Sequence, residues 1–93
     1  MPDDEVHTFA GSFEEGTERL AARLLHRCRV ELAIYDPAGH VIRVLERTER
    51  AAGRYSATWN GKDDSGRGVA SGMYFCRIKA GKFNQTRKIV YLR

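Results

Sequence analysis

Asp63 and Asp64 stand side by side in "WNGKDDSGRGVASGMYF", residues 59–75, between Lys62 and Arg67 and among glycines 61, 66, 68 and 72. Such residues serve three chemistries: cradling a phosphate, holding a dinucleotide and caging a calcium ion. A phosphate loop needs Gly-Lys followed by Ser or Thr at the head of a helix, whereas Gly61-Lys62 precedes Asp63. A dinucleotide loop needs G-x-G-x-x-G; Gly66, Gly68 and Gly72 are one residue too widely spaced and lead into the strand-like "MYFCRI". An EF-hand loop begun at Asp63 would set Arg67 inside the cage and Tyr74 where a bidentate glutamate belongs. An irregular calcium site on Asp63, Asp64 and carbonyl groups is the weaker alternative to a structural corner, which the turn dipeptides Asn60-Gly61 and Ser65-Gly66 favour. No metal ligand is assigned, and Gly61 and Gly72 are read as serving backbone geometry.

The remaining reactive side chains are scattered. His7, His26 and His40 lack metal-ligand spacing to one another or to cysteine. Ser65 and Ser71 lie in turn-like stretches without the G-x-S-x-G of a nucleophile elbow. The sequence therefore predicts no enzyme, no cofactor and no small-molecule substrate. Trp59, Tyr74, Phe75 and Tyr91 offer a stacking platform in principle, but a small domain needs its largest side chains for burial, so Trp59 and Tyr74 are expected in the core. Without a nucleic-acid-binding signature, that class of partner is disfavoured.

Ninety-three residues make one domain with a thin core, and 42% hydrophobic with 30% charged residues is a globular composition. No apolar run is long enough to span a bilayer, and "MPDDEVHTF" reads as no signal peptide. The net charge of +4 is uneven. Residues 1–18 carry six carboxylates and no Lys or Arg, while from Arg19 onward 16 Lys and Arg face six carboxylates, a balance of +10. The asymmetry admits a polyanion- or glycan-binding role through a basic face as the alternative function.

From Cys28 the chain alternates with period two. "CRVELAIYD" puts Cys28, Val30, Leu32 and Ile34 on one face and Arg29, Glu31, Ala33 and Tyr35 on the other. The turn "DPAGH", the return run "VIRVLERTE", the Gly53 turn, "RYSATWN", "GMYFCRIKAG" and "FNQTRKIVYLR" continue the series. This predicts an all-β antiparallel sandwich. Residues 17–25 fit both a helix, by Glu, Leu and Ala propensity, and a strand, by alternation of Leu20, Ala22 and Leu24 with Arg19, Ala21 and Arg23. Strand is expected, because the sandwich needs another strand. Residues 1–16 are expected to form a poorly ordered acidic arm, and 17–93 the domain.

"IYDPAGHVIRVL", "AGRYSATWNGKDDSGRGVASGMYF" and "TRKIVYLR" resemble the FlgD-type immunoglobulin-like domain, which is similar to the C-terminal sorting domain of type IX secretion substrates. The resemblance spans residues 30–93 and is carried most specifically by Trp59, Asn60-Gly61, aspartate and Ala70-Ser71-Gly72 in that order. It implies an immunoglobulin-like sandwich of about seven strands, no catalysis, and a sorting, anchoring or assembly role within a larger exported bacterial protein at the cell surface or envelope. It also implies a protein partner: export or assembly machinery, or the rest of a longer chain. In a sorting role, Thr86, Arg87, Lys88, Ile89 and Val90 would be the matching attachment strand. Ile89, Val90, Tyr91 and Leu92 run without a break, so either both faces of this strand are covered or one is open to a partner. Cys28 and Cys76 flank Trp59 with spacing unlike the immunoglobulin disulfide, and two buried thiols are expected in place of a bridge.

Overall fold

The computed structural model describes residues 6–14 and 17–92. Seven strands follow in chain order: β1 (Val6–Glu14), β2 (Thr17–Leu24), β3 (Cys28–Tyr35), β4 (Val41–Arg50), β5 (Gly53–Trp59), β6 (Gly72–Ala80) and β7 (Phe83–Tyr91). All pairings are antiparallel. They form one sheet ordered β1-β2-β5 and another ordered β4-β3-β6-β7, the two faces of an immunoglobulin-like sandwich.

β2 resolves the helix-or-strand ambiguity. Leu20 and Leu24 are buried, Ala22 packs against the core, and Arg19, Ala21 and Arg23 face solvent. Helix propensity differs by a few tenths of a kcal/mol per residue. Burying each leucine contributes about 1.5–3 kcal/mol, so the alternation prevails.

The stretch read as an arm contains β1, which pairs along β2 from Val6↔Leu24 to Glu14↔Thr17. Acidity is a poor guide here, because the carboxylates stand at 3–5 and from 14 onward and leave residues 6–13 free of acidic side chains. Residues 1–5, 15 and 16 lie outside those described.

In the larger sheet, β3 contributes Val30, Leu32 and Ile34 to the core and β6 contributes Tyr74, Cys76, Ile78 and Ala80. Two register shifts between β3 and β4 leave Leu45 and Ile42 as extra residues on β4, and both pack against the core. The β3–β4 turn is closed at both ends: Asp36 N donates to His40 O (3.0 Å), Gly39 N donates to Asp36 O (2.9 Å), and Asp36 Oδ1 accepts from His40 N (2.8 Å). That last bond, from the His40 backbone, is the main reason the Asp36 carboxyl titrates below its usual range.

Cys28 and Cys76 are thiols as expected, but only Cys76 is buried and Cys28 is half-buried. Register sets Cys76 opposite Ile34, six residues along β3 from Cys28. That is about 20 Å, far beyond the ~7 Å Cα separation a disulfide tolerates.

Candidate attachment face

The Asp-rich loop between β5 and β6 is a corner whose polar groups satisfy one another. Asp63 Oδ1 accepts from the Ser65 hydroxyl (2.6 Å), Ser65 N (2.9 Å) and Arg67 N (3.0 Å). These donors, the Ser65 hydroxyl first, hold the Asp63 carboxyl below its usual range. Asp64 pins the loop to β4: its N–H donates to Ile42 O (2.9 Å), and its Oδ1 accepts from Val44 N (3.2 Å). Both aspartates thus act on backbone, the role the turn dipeptides suggested.

Beneath the corner lies an aromatic cluster. Trp59 is 0% exposed and stands 5.4 Å, edge-on, from Tyr74 and 5.0 Å from Tyr91. Its indole N–H donates to Lys62 O (2.8 Å), and the Tyr74 hydroxyl donates to Ala70 O (2.6 Å), so each ring is buried with its polar atom paired. Burial also pushes the Tyr74 phenol up. A stacking platform is thereby dismantled: Trp59, Tyr74 and Tyr91 face inward, and of the four aromatics Phe75 alone stands on the outer face. Gly61 has φ 79°, and a Cβ there would overlap the Tyr91 ring. Gly72, paired with the same requirement in the sequence reading, opens β6 with nothing within 4 Å of an added Cβ.

The five residues of the expected attachment strand lie on β7, which pairs with β6 and forms an edge of the larger sheet. They do not act alike. Ile89 is buried beside Tyr74, while Thr86, Lys88 and Val90 are exposed on the outer face, and Arg87 is exposed on the register of the core face opposite Cys76. A charged residue on the inward register of an edge strand discourages pairing with a stray chain.

The unbroken run Ile89–Leu92 is divided by the pleat. Ile89 and Tyr91 are 4% and 5% exposed; Val90 and Leu92 are 57% and 56% exposed. One face is therefore open. Val90 neighbours Met73 across β6, and Val41, Tyr35, Phe75 and Lys88 form the adjacent row across all four strands. Val41, Met73, Val90 and Leu92 are among the exposed large apolar side chains, with Tyr35 and Phe75 half-buried between strands. A shallow depression of about 250 Å³ runs from the β3–β4 turn to Phe75, Arg77 and Thr86. The other end of the same face is charged, with Glu31 taken between Arg47 (3.8 Å) and Arg29 (4.0 Å).

Sequence reasoning had placed Tyr35 on the outer face, yet it missed that Tyr35, Val41, Met73 and Phe75 join Val90. The signal was present in the alternation of each strand; the register that aligns the strands was not.

A search of curated proteins gives no match. Among solved structures the chain is similar to FlgD from P. aeruginosa, with a TM-score of 0.63 and 26% identity over 89% of this chain. It spans 64% of the length of that protein. The model of the FlgD Ig-like domain matches residues 10–82, beginning inside β1 and ending in the β6–β7 turn. The match covers most of the sandwich, carries the non-enzymatic character of that family, and shows that this chain belongs to the FlgD Ig-like domain family.

Proposed function

We propose that the chain is an assembly module of a larger exported or envelope protein, attached through protein contacts made by the outer face of β6 and β7. The observation that carries this reading is the exposure of Val90 beside Met73, Phe75, Tyr35 and Val41, with Leu92 exposed just past the end of β7. A thin-cored domain that leaves such side chains contiguous on one face offers a contact surface. A photo-crosslinking residue placed at Val90 or Met73 in the full chain, expressed in its native cells, should give one defined protein adduct. The same residue at Lys79, on the charged end of the face, should not. Equal adduct yields from both ends, or none from Val90, would overturn the proposal.

A sorting role for β7 is a second reading, favoured by the exposure of Thr86, Arg87 and Lys88 on an edge strand. Deleting β7 is a poor test because Ile89 and Tyr91 belong to the core. The triple change Thr86→Ala, Arg87→Ala, Lys88→Ala leaves that core in place. Behind a signal peptide and reporter in a bacterium with type IX secretion, the parent module should reach the surface and the triple variant should not. Equal export of both removes the sorting reading.

A further inference from the structure

The smaller sheet presents a face of different chemistry. On β2, Arg19, Ala21 and Arg23 alternate with the buried leucines and are exposed; on β5, Arg54, Ser56 and Thr58 are exposed. Register pairs Arg23 with Arg54, Ala21 with Ser56 and Arg19 with Thr58. The pleat thus gathers three arginines around a floor of short side chains. Arg23 and Arg54 are like charges directly opposite one another, an arrangement that destabilises a strand pair. Neither strand of the pair supplies a carboxylate opposite them: Glu18, the carboxylate of β2, lies on the register of Trp59, and β5 has none. The larger sheet differs, since Arg29, Arg47 and Arg50 there, and Arg27 just before β3, each face a glutamate.

We infer that this arginine face binds an extended, acidic segment of a partner protein. Directly opposed residues have Cβ atoms about 5 Å apart, so the Arg23 and Arg54 guanidinium groups can converge on one carboxylate. Arg19 lies four residues from Arg23 on the same side of β2, about 13 Å away, which is the rise of four residues in any extended chain. A strand carrying carboxylates at positions i and i+4, laid over Ala21 and Ser56, meets both ends. A single-stranded nucleic acid fits less well, because β2 and β5 present no aromatic side chain on this face for base stacking. The surface belongs to the sheet opposite Val90 and Leu92, so it stands whether or not that face attaches the module.

The test uses the full chain and a fluorescein-labelled peptide of repeating Glu-Thr-Val-Thr, with the Gln-Thr-Val-Thr peptide as neutral control. The glutamate peptide should bind at low salt and weaken as salt rises, and the neutral one should not bind. Arg23→Gln with Arg54→Gln should weaken binding about tenfold or more, because two charge-assisted contacts are lost. Arg77→Gln with Lys79→Gln, on the other sheet, should leave it unchanged. Arg54→Gln alone should melt at or above the parent temperature, since it removes the like-charge opposition; this also establishes that the variant folds. No binding of the glutamate peptide, or binding indifferent to Arg23 and Arg54, overturns the inference. So does tighter arginine-dependent binding of oligothymidylate, a heparin fragment or anionic vesicles. If Asp3→Asn, Asp4→Asn and Glu5→Gln together raise peptide affinity tenfold, the face belongs to the chain's own acidic start, and the partner assignment falls.

Discussion

Gly61→Ala tests how the β5–β6 corner is locked onto the core. The substitution has two costs. A residue with a Cβ held at φ 79° loses about 1–2 kcal/mol relative to glycine. The new methyl also occupies the place of the Tyr91 ring, whose Cε1 would lie 2.8 Å away and whose Cζ and Oη would lie closer still. Tyr91 must therefore move. It is 5% exposed and stands 5.0 Å from Trp59 and 6.5 Å from Tyr74, and each such aromatic pair contributes about 0.5–1.5 kcal/mol beyond its buried area. Losing both brings the total to about 2–5 kcal/mol. For 93 residues the whole stability is about 5–14 kcal/mol, so the variant should be close to its folding limit at the upper end. Urea denaturation followed by the fluorescence of the single tryptophan, Trp59, measures the loss directly. Repeating it in a Tyr91→Leu background separates the two terms: there the alanine should cost about 1–2 kcal/mol, the backbone part alone. A coupling below about 0.5 kcal/mol would show that Gly61 does not serve the approach of Tyr91. A Gly61→Ala protein as stable as its parent would refute both terms.

Trp59→Ala should cost about 3–5 kcal/mol and Trp59→Phe, which loses the donor to Lys62 O, about 1–3 kcal/mol; far-UV circular dichroism follows both, and equal melting of all three proteins would place Trp59 outside the core. Val90→Lys with Leu92→Lys should change stability by no more than about 0.5 kcal/mol, because neither side chain is buried; a larger loss in urea denaturation would mean that this face is closed. Asp63 has a folded-state pKa below the ordinary aspartate range, so the unfolded chain binds the proton more readily; its contribution is complete above that range and is lost as pH falls through the folded pKa. Asp63→Asn should therefore flatten the acid limb of stability below about pH 4, measured as urea midpoints across that range, and an unchanged acid limb would remove Asp63 from the account.

Much of the molecule was legible because local rules are short-ranged. The alternation of Val30, Leu32 and Ile34 names a buried face whatever the strand pairs with, since successive side chains of any strand point to opposite sides. Asp36-Pro37-Ala38-Gly39 specifies a turn through the fixed φ of proline and the freedom of glycine. The mismatched spacings around Asp63 and Asp64 excluded phosphate, dinucleotide and EF-hand sites without coordinates. Burial of Trp59 and Tyr74 followed from their size. Where β1 departs from the expected arm, the stretch was read by overall charge, which says little about residues 6–13, free of carboxylates and able to pair with β2.

What the chain order could not give was the register between strands distant in sequence. Val41, Tyr35, Phe75 and Lys88 are consecutive neighbours in space but are spread over more than fifty positions of the chain, and two bulges on β4 decide that Val41, not Arg43, meets Tyr35. Arg23 and Arg54 become opposed by the same kind of pairing. The sequence determined which residues face outward; the tertiary structure decided which of them meet, because a strand fixes the side of its own side chains but a neighbouring strand fixes their company.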